Sequence, residues 1–185
     1  MSRLSPTLSN PRRKNNRINR VASPWRAAIV PYASIMLGSL LPVLLIADSM
    51  PALPPLGYLM LLCWRIIRPD LLPMWVGLPL GLFDDLFSGQ PFGSAVLLWS
   101  ITMIVIEAIE ARFPWRGFMQ DWFTAGLAIS LYIVVAMLIS GAPITIHQLV
   151  AAAPQLLLAV VLYPVFARFV AWLDAFRLAR TRRIG

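Results

Sequence analysis

The chain is short of charge. Only 13% of its 185 residues are Asp, Glu, Lys or Arg, while 59% are hydrophobic, and mean hydropathy is +0.74. A soluble domain carries about 25% charged and about 45–50% apolar residues. The scarcity therefore excludes an ordinary soluble domain and indicates an integral membrane protein. Cysteine is nearly absent. Cys63 stands alone, so no intrachain disulfide is possible, and inside an apolar run it reads as a small packing residue. Histidine is limited to His147, which cannot build a His-rich metal site by itself. Catalytic signatures are missing too. There is no phosphate-binding glycine loop, no HExxH and no GxSxG. The Asp-x-x-Asp-Gly pattern of lipid phosphotransferases is not matched by Asp84-Asp85-Leu86-Phe87. These absences lead to an expectation of no enzyme activity, no metal and no cofactor. A typical cleavable signal is also not expected, because a long basic stretch precedes the first apolar run and no small-x-small site follows.

Apolar runs are abundant. The first, about Ala27 to Ala47, matches the roughly 20 residues that cross a bilayer and contains Pro31 and Pro42, which predict a kink. The second, Leu53 to Ile67, is weaker. It reads as a short or tilted span with Arg65 snorkelling to the interface, or as a re-entrant segment. After Arg68-Pro69-Asp70 a third span is expected over Leu71 to Phe87, a fourth over Phe92 to Ile109, a fifth over Trp122 to Ser140 and a sixth over Leu149 to Val170.

Charge placement orders these runs. All sixteen basic residues fall in the N-terminal tail, beside Arg65 and Arg68, beside Arg112 and Arg116, or from Arg168 to the C-terminus. The alternate links carry only Asp48 and the Asp84/Asp85 pair. The positive-inside rule then predicts six spans with both termini cytoplasmic. The expected organisation is a basic tail over 1–26, a membrane domain over 27–173 and a second basic tail over 174–185. The tails lack interleaved aromatics, so lipid headgroups or an acidic partner are expected rather than nucleic acid. The tryptophans cluster near span ends, as in an aromatic belt, with Trp99 the mid-span exception.

Asp84 and Asp85 are the conspicuous residues. A carboxylate at a helix centre in the membrane costs about 2.5–3.5 kcal/mol on insertion scales. One in a helix's last turn also opposes the macrodipole. Three readings stay open: a water-facing helix end, a structural acceptor for backbone N–H groups of the Ser88–Gly93 turn or for a partner chain, or an ion-binding or catalytic group. As a metal motif the pair is weak, because adjacent residues point to different helix faces. Just upstream, Gly77 and Gly81 lie four apart, a spacing that admits close approach of another helix. Glu107 and Glu110 are expected to be interfacial salt-bridge partners.

The run Gly81-Leu82-Phe83-Asp84-Asp85-Leu86-Phe87-Ser88-Gly89-Gln90-Pro91-Phe92-Gly93 resembles the signature of the MreD family, Gly-Leu-x-x-Asp-Leu followed by Pro-Leu-Gly. Asp85 takes the family's aspartate position, and Phe92 stands in place of the usual Leu. Trp64-Arg65-Ile66-Ile67-Arg68-Pro69 is similar to the family's aromatic-x-x-x-Arg-Pro segment, and Leu162-Tyr163-Pro164 resembles its late proline. The resemblance covers about residues 27–173.

The resemblance implies a multi-pass protein of the bacterial inner membrane. It implies a non-enzymatic scaffold of the cell-elongation machinery, required for rod shape and lateral peptidoglycan synthesis. Its implied partners are MreC, MreB, and RodA with its penicillin-binding transpeptidase. The implied fold is similar to the substrate-binding (S) component of energy-coupling-factor vitamin transporters, which sets the alternative function: small-molecule capture in a pocket near Asp84, Asp85 and Trp99. On the scaffold reading, the structural or partner-binding residues are expected to be Arg68, Pro69, Gly77, Gly81, Asp84, Asp85, Gly89, Pro91 and Gly93. MreC's membrane helix is expected to dock beside the Gly77/Gly81 face.

Overall fold

The computed structural model describes residues 24–44, 53–112, 117–141 and 145–178. The expectations for residues 1–23, Asp48, Trp115, Arg116 and the C-terminal arginines Arg180, Arg182 and Arg183 lie outside the described residues. Six α-helices are present there: α1 (Pro24–Leu44), α2 (Leu56–Ile67), α3 (Gly77–Phe87), α4 (Ser94–Arg112), α5 (Phe118–Ile139) and α6 (Ile146–Arg177). A 3-10 turn over Met74–Val76 leads into α3.

Helices α1, α4, α5 and α6 are long and apolar enough to cross a membrane. Their outward faces carry exposed apolar residues such as Leu37, Leu127, Leu131, Leu157 and Val161, as lipid contact requires. The two middle helices are shorter than the apolar runs that predict them, of which the run Leu53 to Ile67 already reads as short. Helix α2 has 12 residues and α3 has 11, so they rise only about 18 Å and about 16 Å at 1.5 Å per residue. The third apolar run does not form one helix. Its Pro69 and Pro73 deny backbone N–H groups, so helix proper begins at Gly77. Pro79 falls in the first turn, where its missing N–H has no intrahelical partner to lose.

Helix α2 is the hub. Every residue from Leu56 to Ile66 is buried, and α2 touches α1, α4, α5 and α6. A helix apolar on all sides is stable when its whole circumference is packed. Its weak appearance as a span has that origin: it is short because protein, not lipid, surrounds it. Gly38 and Gly57 let α1 and α2 cross closely, since a Cβ on Gly38 would lie 3.1 Å from the Gly57 Cα. Tyr58 stacks on Tyr132 of α5 at 4.2 Å between centroids, and its hydroxyl meets Thr102 Oγ1 of α4 at 2.8 Å.

Two helix-interior prolines are compensated from other helices. Pro31 has no N–H to give to the Ala27 carbonyl four residues back. That carbonyl accepts from Arg177 Nη1 at 3.0 Å. Pro164 likewise leaves the Val160 carbonyl without its helical donor, and Trp122 Nε1 of α5 donates to it at 3.1 Å. Buried carbonyls need a partner, so each proline becomes an inter-helix joint.

Candidate functional site at the α3–α4 junction

Asp85 closes the junction between α3 and α4. Its Oδ2 accepts from the backbone N–H of Gly93 at 2.9 Å and of Val96 at 3.2 Å, and its Oδ1 accepts from Ala95 N–H at 2.8 Å. The Ser94 hydroxyl lies 3.3 Å from Oδ1 and 3.2 Å from Gln90 Oε1. These donors are the open N–H groups that begin α4. Asp85 is therefore an N-terminal cap supplied from the preceding helix, and its charge meets the positive end of the α4 dipole. The unfavourable position at the end of α3 is offset by a favourable one at the start of α4. With 6% of its surface exposed, the carboxylate is not a water-facing helix end.

The turn that makes this possible depends on glycine. Gly89 and Gly93 have φ of 67° and 94°, left-handed values that side-chain-bearing residues rarely adopt. The Pro91 carbonyl accepts from Ser94 N–H at 3.0 Å, which completes the turn into α4.

Gly77, Gly81 and Asp85 follow at i, i+4 and i+8 on one face of α3, and that face is turned onto α4. A Cβ on Gly81 would sit 2.7 Å from the Ala95 carbonyl oxygen and the Val96 Cα, and one on Gly77 3.0 Å from the Ser100 backbone. The glycine face beside which MreC's helix is expected to dock is filled by the chain's own α4. Asp84 points elsewhere, beside Ser39 of α1 and Tyr132 of α5.

The opposite end of α2 carries a second polar constellation. Arg65 is 3% exposed. It pairs with Glu110 at 2.8 Å and Glu107 at 3.5 Å, and its Nη1 donates to the Pro69 carbonyl. It does not snorkel; its charge is neutralised inside the bundle, as a buried guanidinium requires. Arg68 pairs with Asp174 at 2.6 Å, and Asp174 also accepts from Arg177 at 2.7 Å. The Arg177 guanidinium lies 5.7 Å over the Trp64 ring. Trp64 is fully buried and donates to Ser34 Oγ at 2.8 Å, so it belongs to the core and not to the interfacial belt. Trp25, Trp75 and Trp172 are exposed.

Asp174 was missed by sequence reasoning. It is the lone acid near the C-terminus, three residues before Arg177, and that i, i+3 pair was the available signal. Helix α6 extends through Arg177, so the basic segment expected over 174–185 begins as helix. His147 is exposed. Among the described residues, no group of three His, Cys, Asp or Glu side chains is placed to hold a metal ion.

Compared with protein-family models, residues 20–175 match MreD, rod shape-determining protein MreD. The chain belongs to the MreD family. The match covers most of the chain, including every helix apart from the last two residues of α6. Membership assigns a role in rod-shape determination, in a family of structural inner-membrane proteins that is not a known enzyme family. No curated protein and no solved structure matches the chain.

Proposed function

We propose that this protein is a non-enzymatic scaffold of the bacterial cell-elongation machinery. On this reading it sits in the inner membrane with both termini cytoplasmic, binds MreC, and supports lateral peptidoglycan synthesis. MreB, RodA and its penicillin-binding transpeptidase, and anionic lipids are its further partners. The observation that carries the reading is family membership over residues 20–175. The polar side chains are consistent with it, since Asp85 joins α3 to α4, Arg65 and Arg68 tie α2 to α4 and α6, and Arg177 ties α6 to α1. Such joints serve a rigid docking platform. Both cytoplasmic termini rest on the positive-inside pattern, and the contact of Arg177 with the Ala27 carbonyl brings the ends of α1 and α6 together.

Because α4 fills the Gly77/Gly81 face, we place the partner surface on the lipid-exposed faces of the long helices. The vitamin-capture alternative, with its S-component-like fold, needs a pocket of about 300–1,000 Å³. The cavity beside Asp84 measures about 170 Å³. A neighbouring cavity of about 280 Å³ shares Gln90, Tyr132 and Gln155 with it, and Asp85 and Trp99 line neither.

Affinity purification of the tagged protein from mild-detergent membranes, followed by mass spectrometry, tests the choice. The scaffold reading expects MreC and wall-synthesis enzymes. Recovery of an ATPase-driven transport module without them would overturn it.

A further inference from the structure

Asp84 is buried, at 8% exposure, yet the α3–α4 junction does not use it. Among the described residues it has no Arg or Lys partner; the arginine pairs at Arg65, Arg68 and Arg177 lie at the far end of α2. It lines a cavity of about 170 Å³ together with Ser39, Gln90, Tyr132 and Gln155. Ser39 and Tyr132 are 6% and 3% exposed, and neither hydroxyl closes a hydrogen bond of normal geometry. Ser39 Oγ is directed at the Asp84 carboxylate. Buried polar groups left in this state call for a partner.

The chemistry of that partner follows from what converges. The Asp84 carboxylate only accepts hydrogen bonds and the Ser39 and Tyr132 hydroxyls can accept as well as donate, whereas an ammonium offers three donors and no acceptor. Pro42, Val43 and Phe87 supply apolar wall, suited to the methylene stem behind such a head. The volume is below the roughly 300 Å³ of ordinary small-molecule pockets, but it admits a slender alkyl chain. A cavity of this volume favours a compact ammonium over a broad planar guanidinium fork.

We propose that this cavity is an alkylammonium site, filled by the lysine side chain of a partner protein. A lipid ethanolamine would bring a phosphate with it, and among the described residues no basic side chain lines the cavity to receive one. Leu53, Pro54 and Ser88, from the links between helices, complete the lining. The inference rests on the scaffold reading only for the source of the lysine.

The test is thermal unfolding of the purified full chain in detergent, titrated with n-butylammonium chloride against equal sodium chloride and n-butanol. Butylammonium should raise the melting temperature, and the other two should not. Asp84→Asn should fold with an unchanged or higher melting temperature, because it removes an unpaired buried charge, and should weaken the response at least about tenfold. Ser39→Ala is the second variant and should weaken it several-fold. A wild-type response no larger than that to sodium chloride, or an undiminished response in both variants, would overturn the site.

Nα-acetyl-lysine methylamide should compete with butylammonium. Stabilisation specific to phosphatidylethanolamine nanodiscs and lost in Asp84→Asn would instead make this a lipid site and overturn the lysine assignment. A failure in these titrations is separate from a failure of the scaffold reading, which the co-purification decides.

Discussion

Replacing Asp85 by Asn isolates what the carboxylate contributes at the start of α4. The change keeps the size of the side chain and one acceptor oxygen. It places an NH₂ group where Oδ1 or Oδ2 now stands. If it replaces Oδ2, the N–H groups of Gly93 and Val96, now at 2.9 Å and 3.2 Å, face another donor. Each buried donor left without a partner costs about 1–3 kcal/mol. Loss of the charge opposite the helix N-terminus removes a further ~0.3–2 kcal/mol. Local relaxation recovers part of this, so a net loss of about 2–4 kcal/mol is expected. The assay is reversible unfolding in mixed detergent micelles at fixed protein concentration. Asp84→Asn, one residue away, is the control, because Asp84 caps nothing and should show no loss. A destabilisation below about 1 kcal/mol for Asp85→Asn would refute the capping account, since it would lie within the range of a single ordinary hydrogen bond. Equal losses for the two variants would refute it as well.

Further expectations follow from the same packing. Gly81→Ala should cost about 1–3 kcal/mol, because its Cβ would sit 2.7 Å from α4 backbone atoms; Gly81→Leu should sharply lower the yield of monodisperse protein in size-exclusion chromatography. Trp122→Phe removes the donor to the Val160 carbonyl and should cost about 1–3 kcal/mol. In a Pro164→Ala background the restored helical N–H should reduce that cost, and a double-mutant cycle with coupling below about 0.5 kcal/mol would count against the joint. Arg177→Ala should destabilise by about 1–3 kcal/mol in the same unfolding assay, since the Ala27 carbonyl loses its donor while Arg68 stays paired with Asp174. Arg68→Ala should cost at most about 1 kcal/mol, because the Arg68 side chain is 49% exposed and Arg177 stays with Asp174.

Residue pattern alone was a good guide to the long helices. The apolar runs that became α1, α4, α5 and α6 have membrane-crossing length, and hydropathy is a sum over neighbours in sequence. It was a poor guide to α2. Leu53 to Ile67 scores as a marginal span because length is the only criterion a hydropathy reading can apply, and contact on all sides by α1, α4, α5 and α6 is invisible to it. Arg65 and Trp64 were misjudged for the same reason. Near the end of a supposed span, each reads as an interfacial side chain, yet the partners that bury them stand far along the chain at Glu110, Ser34 and Arg177.

The carboxylate pair divides in the same way. Its sequence neighbourhood, with Gly89, Pro91 and Gly93, announced a tight turn, and left a structural task as one of three readings of the aspartates. The i, i+4 glycines announced a close helix contact. Which helix would fill that contact was not legible, because a small-residue face is equally complementary to a partner's helix and to the chain's own α4.

Local chemistry thus determined the membrane class, the long helices, the family and the glycine turn, since composition, periodicity and φ preference act over a few residues. Tertiary structure alone decided that Asp85 caps α4, that Asp84 faces a cavity, and that Arg177 and Trp122 complete the carbonyls freed by Pro31 and Pro164. Those outcomes depend on which unsatisfied groups meet across helices. A buried acceptor or charge is neutralised by whatever the fold brings within about 3 Å of it, and distance along the chain does not encode that meeting.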